Sequence, residues 1–500
     1  MTKTFNEWDF DLDTLEKDHE NIYFIGIGGI SMSCLAQILY SRGFRVAGSD
    51  YKSSETTEHL RNSGIRVAIG HDADNIAADT DLVVYSAAIK PDNPELAAAR
   101  QKGIRTVGRA VLLGAIMAGF ERPVCVSGTH GKTTTTSIIS EILIKAGLDP
   151  TVSLGGILPS IKDIGAADKN VVKSRSDGSN FRLGRGPYFV VEACEYADSF
   201  LHFRPFIGVI LNVEADHLDY FADIGQITQS FAAFARSIGK NGKGGFLIIN
   251  AGIPMIRDIL KNLSCKVITF GEGGQWQADN LVFDEGGRAA FDVIHNGEIL
   301  GNVHLKVPGA HNAQNALAAA AAADALGIGF GTIAKGLGEY TGVRRRFEVR
   351  GNYNGAAVVD DYAHHPSEIA ATLAAASNIR HENLICVFQP HTYSRTKALF
   401  EELAASFSLA DTLILTDIYA AREKDKSEIS SLILAERVRE LWGDKAGNVL
   451  YIKSFEDIVA YLEKNCIKND MLITMGAGDV YLVGEMLLNG QLSTLSTEKS

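Results

Sequence analysis

A short apolar run rich in β-formers, ending in glycine or polar residues and leading straight into an apolar-periodic helix, recurs along this 500-residue chain. That pattern constrains the fold more than any other feature. Strands alternating with helices are joined by crossovers and lie parallel in an α/β sheet. Their polar carboxyl ends then share one sheet edge, which is where open α/β sheets hold ligands. The length exceeds a single core and predicts about three domains. "GFERP" (Gly119–Pro123) reads as one linker and "YTGVRRRFEVRG" as the lead into the last segment, so the expected divisions are 1–120, 121–341 and 342–500.

The clearest instance is "VCVSGTHGKTTTTSIISEIL", Val124 to Leu143. The free N–H groups and positive dipole end of a helix's first turn attract an anion. Gly128 and Gly131 let the backbone wrap close to a phosphate. Lys132 is placed to reach the terminal phosphates, and Thr133 to offer its hydroxyl to Mg²⁺. Position 126 is Val, so the loop Gly128-Thr129-His130-Gly131-Lys132-Thr133 is shorter than the usual G-x-x-x-x-G-K-[ST]. The strand before it and the helix after it favour an ATP site over a plain glycine turn. Four consecutive threonines at the head of a helix still need an explanation, since β-branched residues are poor helix formers.

The first segment opens with "NIYFIGIGGISMSCLAQILYSRGFRVAGSD". A strand is expected at Tyr23–Ile27, a loop at Gly26, Gly28 and Gly29, a helix at Met32–Tyr40, and a second strand ending at Asp50. This βαβ unit suits a nucleotide diphosphate, with an acidic residue about twenty positions on for ribose or base. Taken alone, the loop is a weak signal, with NAD the usual first expectation and a plain tight turn the lesser alternative. A further strand ends in a small-residue loop at Ser86 to Ala88.

In the second segment two more strands end in acidic residues, Glu192 and Glu195 after one, Asp216 and His217 after the other. Carboxylate, hydroxyl and imidazole at such ends make a Mg²⁺ shell or, more plainly, helix caps. The Ser-, Gly- and Lys/Arg-rich stretch across 160–187 reads as a surface insertion in its middle. "HNAQNALAA" begins an Ala-rich helix with His311, Asn312 and Asn315 on its first turn, amides that suit an adenine edge or simple capping. Arg344–Arg346 are a solvated face or an ATP contact. The third segment repeats the plan four times. "AAVVDDYAHHPSEI" ends in Asp360, Asp361, His364 and His365, and "NLICVFQPHTYSRTKALF" ends in His391, Tyr393, Ser394 and Arg395.

A formal net charge of -12 argues against nucleic acid as the main partner. The polar, acidic start is no secretory signal, and no apolar run is long enough to span a bilayer. Six cysteines stand singly, which fits neither a disulfide framework nor a zinc site and predicts a cytoplasmic protein. Two nucleotide-type loops in one chain are best used together, with a nucleotide-bearing substrate in the first domain, ATP in the second and a third domain closing over both.

"GTHGKTTT", "EACEY", "EADHLDYF", "HNAQNALAA", "RRRF", "DDYAHHPSEI" and "FQPHTYSRTKALF" together resemble the Mur ligases of peptidoglycan synthesis, from about Ile22 to Val480. The resemblance implies a Rossmann-like N-terminal domain, a central P-loop ATP-binding α/β domain and a C-terminal Rossmann-like α/β domain. "GIGGISMS" and "QPHTYSRT" look like the alanine-adding branch. The alternatives are the branch that recycles a preformed peptide and a folylpolyglutamate synthetase-like ligase. The implied reaction joins L-alanine to the lactyl carboxylate of UDP-N-acetylmuramate. The carboxylate takes the γ-phosphoryl group of ATP, and the alanine amine then displaces phosphate from the acyl carbon. Lys132, His364 and Arg395 are implied as catalytic. ATP contacts are implied at Gly128, Thr129, His130, Gly131, Lys132, Thr133, Thr134, His311, Asn312, Asn315, Arg345 and Asp361. Substrate contacts are implied at Gly28, Gly29, Ile30, Ser31, Asp50, His71, Ser86, His391, Tyr393 and Arg395, and Mg²⁺ ligands at Thr133, Glu195 and His217. No membrane insertion is expected, and the oligomeric state is left open.

Overall fold

The structure, a computed structural model, describes residues 15, 20–86, 89–161, 178–240, 244–421, 423 and 428–497. The acidic N-terminal extension, apart from Leu15 and Glu20, and the middle of the 160–187 segment lie outside the described residues. The chain forms two compact units. One comprises residues 1–213, 228–269 and 318–332, the other 214–227, 270–317 and 333–500.

The first unit opens with a parallel sheet of β1 (Asn21–Ile25), β2 (Arg45–Asp50), β3 (Arg66–Ile69), β4 (Leu82–Tyr85) and β5 (Arg105–Gly108) in the order β3-β2-β1-β4-β5. Parallel strands are covered on both faces and so read as unbroken apolar runs; Ile22 to Ile25 are no more than 4% exposed. Helix α1 (Ile30–Ser41) follows β1, α2 (Pro94–Gln101) follows β4, and α3 (Arg109–Ala118) follows β5. Strand β1 ends two residues earlier than expected, and α1 starts two earlier. Gly26 leaves the strand conformation at φ +79°, and the N–H groups of Gly26 and Ile27 turn onto Ser49 O.

The second sheet of this unit comprises β6 (Arg122–Ser127), β7 (Thr151–Leu158), β8 (Ser179–Arg182), β9 (Tyr188–Glu192), β10 (Ile207–Ile210), β11 (Phe246–Asn250) and β12 (Lys266–Phe270). They run in the order β12-β11-β10-β6-β9-β7-β8. Helix α4 (Lys132–Lys145) leaves the central strand β6, whose Val124, Cys125 and Val126 are fully buried. Strand β8 pairs antiparallel with β7, so the described end of the 160–187 segment is a strand.

The second unit contains an antiparallel meander of β13 (Trp276–Phe283), β14 (Arg288–His295) and β15 (Glu298–Pro308), which the helix–strand alternation does not foresee. Helix α5 (Ala310–Ala325) comes next in the chain. The unit's sheet is ordered β16-β17-β21-β18-β19-β20. Its strands are β16 (Glu348–Tyr353), β17 (Ala356–Asp361), β18 (Leu384–Phe388), β19 (Thr412–Leu415), β20 (Val449–Tyr451) and β21 (Met471–Met475). All pairs are parallel except the β16 edge, which is antiparallel to β17. Helices α6 (Pro366–Ser377) and α7 (Tyr393–Ala398) start just past the polar ends of β17 and β18. No helix among the described residues is long and apolar enough to cross a membrane.

Candidate active site

In the first unit, Gly131 caps α4 in the left-handed region at φ +80°, a conformation that costs a Cβ-bearing residue free energy. Lys132 folds back over the loop it follows. Its ammonium donates to Gly128 O (2.5 Å) and Thr129 O (3.1 Å) and lies 3.1 Å from Glu195 Oε2. Burial works against the charge, but Glu195, with Cys194 and Glu192 behind it, holds the ammonium above its ordinary pKa. Thr133 donates to Glu192 Oε2 at 3.1 Å, and Glu192 Oε1 accepts from Gly155 N–H. The carboxylate bonded to the Thr133 hydroxyl is thus Glu192, while Glu195 pairs with the lysine.

Burial explains part of the threonine run. Ten of the fourteen α4 residues are buried, Thr133, Thr135 and Thr136 among them. Thr136, Ser137 and Ser140 each return their hydroxyl to the carbonyl one turn back, at 2.7–2.8 Å. The helix satisfies these polar groups internally and can sit inside the sheet's cover without partners for them. His130 is tied to Asn212, just past β10: its N–H donates to Asn212 Oδ1 (2.8 Å) and its carbonyl accepts from Asn212 Nδ2 (3.2 Å). Thr129 N–H reaches Asn212 O at 3.3 Å. Asn212 was not singled out from sequence, although a polar residue ending the apolar run "GVILN" is the signal used elsewhere.

The residues expected to meet the nucleotide substrate share the carboxyl edge of the first sheet. Gly28 N–H donates to Asp50 Oδ2 at 2.9 Å, and a Cβ on Gly28 would stand 2.8 Å from that oxygen and from Thr57 Cγ2. Gly29 precedes α1, Ile30 is half exposed, and Ser31 Oγ accepts from Arg109 Nη1 at 3.0 Å. Arg109 is a further residue that sequence reasoning passed over; its signal is a lone charge heading the apolar helix "RAVLLGAIMA". His71 follows β3, and Ser86 follows β4.

In the second unit, Arg395 on the first turn of α7 grips Asp216, with Nε 3.0 Å from Oδ1 and Nη2 3.3 Å from Oδ2. Burial pushes the Asp216 carboxyl up, yet Arg395, helped by His217, holds it far below the usual range. His217 is in the left-handed region (φ +55°), and its N–H donates to Asp216 Oδ1. Arg395 Nη1 lies 2.9 Å from His391 Nδ1, and the His391 and His364 rings meet edge to face at 5.6 Å. Burial and then the nearby guanidinium lower His391 to about 4. Burial lowers His364 to about 3 despite Glu368. Tyr393 opens α7 beside them.

Other expected ATP contacts are engaged within the second unit. Arg345 donates to Asp360 Oδ2 (3.1 Å) and to the carbonyls of Gly476 (2.8 Å) and Gly478 (3.1 Å), between the rings of Tyr362 and Tyr481. Asp361 is buried, accepts the N–H groups of Phe347 and Ala363, and is pushed up to about 6 by its burial. Asn312 donates to Pro308 O and accepts from Asn315, so its amide ties the start of α5 to the strand before it, whereas His311 is exposed.

The three parallel α/β segments, a lysine-bearing glycine loop beside the buried Glu195 and the half-buried Glu192, and a second glycine loop on the first sheet match the architecture of an ATP-dependent ligase, and the chain belongs to the Mur ligase family. It matches "Mur ligase family, catalytic domain" over residues 21–121, "Mur ligase middle domain" over 126–323 and "Mur ligase, glutamate ligase domain" over 345–478. It is 51% identical over 472 residues to UDP-N-acetylmuramate--L-alanine ligase of Acetivibrio thermocellus, covering 94% of this chain and 96% of that one. Its structure is similar to that of UDP-N-acetylmuramate-alanine ligase from Thermotoga maritima, with a TM-score of 0.77 and 27% identity over 95% of this chain and 100% of the other. A murein peptide ligase from Psychrobacter arcticus superposes with a TM-score of 0.67 at 25% identity, covering 94% and 98%.

Proposed function

We propose that this chain is a cytoplasmic, ATP-dependent ligase that joins L-alanine to the lactyl carboxylate of UDP-N-acetylmuramate in peptidoglycan precursor synthesis. The observation that carries the reading is the 51% identity, over nearly the whole of both chains, to a relative named for that reaction. The peptide-recycling alternative has less support, because the murein peptide ligase superposes less well than the alanine ligase. Domain limits of 1–120, 121–341 and 342–500 go with this reading and are supported by the three family matches.

The reaction needs no side-chain nucleophile, so the protein's work is positioning and charge neutralisation. In the first unit, residues 128–134 cradle the ATP phosphates and Lys132 offsets their charge. Gly28, Gly29, Ile30, Ser31, Asp50, His71 and Ser86 hold the uridine diphosphate portion. In the second unit, His311, Asn312, Asn315, Arg345 and Asp361 are assigned to ATP. The roles of the two asparagines, Arg345 and Asp361 are then indirect, through the turns they pin. His364, His391, Tyr393 and Arg395 take the acceptor end.

A Mg²⁺ ion suits the head of α4, because the Thr133 hydroxyl meets the Glu192 carboxylate there and the neighbouring Lys132 meets Glu195, so hard oxygen donors lie close to the helix start. Thr133 and Glu195 would hold it. When bound, the ion supplies positive charge to the transferring phosphoryl group.

The test is phosphate release from ATP in the presence of UDP-N-acetylmuramate, with and without each amino acid. Release that depends on L-alanine is expected. Release driven only by a preformed peptide, or without any UDP-substrate, would replace this reading.

A further inference from the structure

Glu95, at the start of α2, is completely buried, yet it carries four polar partners. Tyr23 Oη and Asn75 Nδ2 donate to Oε1 at 2.9 and 2.8 Å, and Ser49 Oγ donates to Oε2 at 2.7 Å. The fourth partner is His71 Nδ1, 2.7 Å from Oε2. These partners come from β1, from the end of β2 and from the segment after β3, so the carboxylate ties together the chain beneath one end of the sheet edge. A carboxylate only accepts, so the short contact requires the His71 proton to sit on Nδ1. Nε2 has no hydrogen-bond partner among the described residues, and the imidazole is 17% exposed although its Nδ1 faces a fully buried group. The ring edge carrying Nε2 is therefore the side that meets solvent or ligand.

The strand order says which part of a nucleotide that edge would meet. The glycine loop follows β1, Asp50 ends β2 and His71 follows β3, in the order β3-β2-β1. Two strand spacings put His71 roughly 10 Å from a diphosphate seated at the α1 N-terminus. That distance is too great for phosphate and fits the base.

We propose that Glu95 is a positioning residue that fixes His71 as the Nδ1–H tautomer, so that Nε2 accepts a hydrogen bond from the imide N–H of the uracil base. The proposal rests on the UDP-substrate reading of the first sheet. A base whose ring nitrogen lacks that hydrogen, such as cytosine, would face the Nε2 lone pair with a lone pair of its own and be rejected.

The first measurement needs no variant: ¹⁵N shifts of the His71 ring in the full-length protein saturated with UDP at pH 8. A neutral ring protonated on Nδ1 is expected. A ring protonated on Nε2, or an imidazolium, would overturn the proposal. The second is calorimetric titration with UDP and CDP. The parent should prefer UDP by about tenfold or more, the worth of one well-made hydrogen bond to an otherwise unpaired group. Glu95→Gln and His71→Ala should each bring that ratio near one. Tyr23→Phe, which removes a partner of the other carboxylate oxygen, should lose stability but keep both the ratio and the His71 tautomer. Equal UDP and CDP affinity in the parent, or loss of the ratio in Tyr23→Phe, contradicts the role given to Glu95. If UDP binds as expected but UDP-N-acetylmuramate does not support phosphate release, the substrate reading has failed and the tautomer result stands separately.

Discussion

Arg395 and Asp216, 179 residues apart in sequence, form a two-point ion pair whose members are 12% and 9% exposed. A pair buried to this degree is poor evidence of net stabilisation, but breaking it from one side leaves a charge stranded. Asp216→Ala should destabilise the second unit by about 3–5 kcal/mol. The double variant Asp216→Ala/Arg395→Ala should cost clearly less than the sum of the singles. Denaturant unfolding of the four proteins measures the coupling, and additive losses would show that the pair does not act as a unit.

Lys132→Ala should lower kcat by at least about 10²–10³-fold, because a charge aimed at the transferring phosphoryl group is lost from a buried loop. Circular dichroism should show a folded protein, and UDP-substrate affinity should stay within about twofold. Near-normal turnover by the folded variant would remove the phosphate loop from the reaction.

Gly28 is required for closeness rather than for backbone twist. Its missing side chain makes room for the Asp50 carboxylate, which would be 2.8 Å from a Cβ. Gly28→Val should therefore weaken UDP-N-acetylmuramate binding while leaving binding of a nonhydrolysable ATP analogue intact. Titration of both ligands decides it, and the reading would not survive tight NAD binding by the parent or an unchanged UDP-substrate affinity in the variant.

Acid should loosen the second unit through His364 and His391. Both are held as neutral rings, at about 3 and about 4, against an ordinary value of 6.5. Between those values the unfolded chain binds more protons, so stability is full above pH 6.5 and is lost as pH falls towards 4. The slope is at most about 1.4 kcal/mol per pH unit for each histidine. Asp361 runs the other way. Raised to about 6, it favours the folded state at low pH and loses that contribution as pH rises from about 4 to 6. His391→Gln should therefore show a smaller fall in Tm between pH 7 and pH 5 than the parent. An equal fall would assign the acid sensitivity to other groups.

Where chemistry is local, the sequence was readable. Gly128, Gly131 and Lys132 mark a strand–loop–helix junction because each meets a requirement set within a few residues, and the structure puts them on that junction. The alternation of strand and helix likewise foretold two of the parallel sheets by their polar ends. The partners that hold the loops were not legible. Asn212 is 82 residues from His130, and Glu95 is 24 from His71. A pairing across such distances is set by the sheet register, which no local pattern encodes. The β14–β15 hairpin is a different case. Asn296 and Gly297 both have positive φ (51° and 87°) and form the Asn-Gly turn that favours tight hairpins, a signal present in the sequence but easily overshadowed by the surrounding α/β rhythm.

Asn212 exchanges hydrogen bonds with both backbone groups of His130, much as a neighbouring strand residue would. One amide side chain thus extends the ladder of β10 one rung into the phosphate loop. Fixing a backbone residue takes roughly 1–2 kcal/mol of conformational entropy, and here that cost for the loop is met when the protein folds rather than when a nucleotide arrives. On the proposed reading, a triphosphate that enters this loop meets a shape already made, and the ordering cost is not charged to binding.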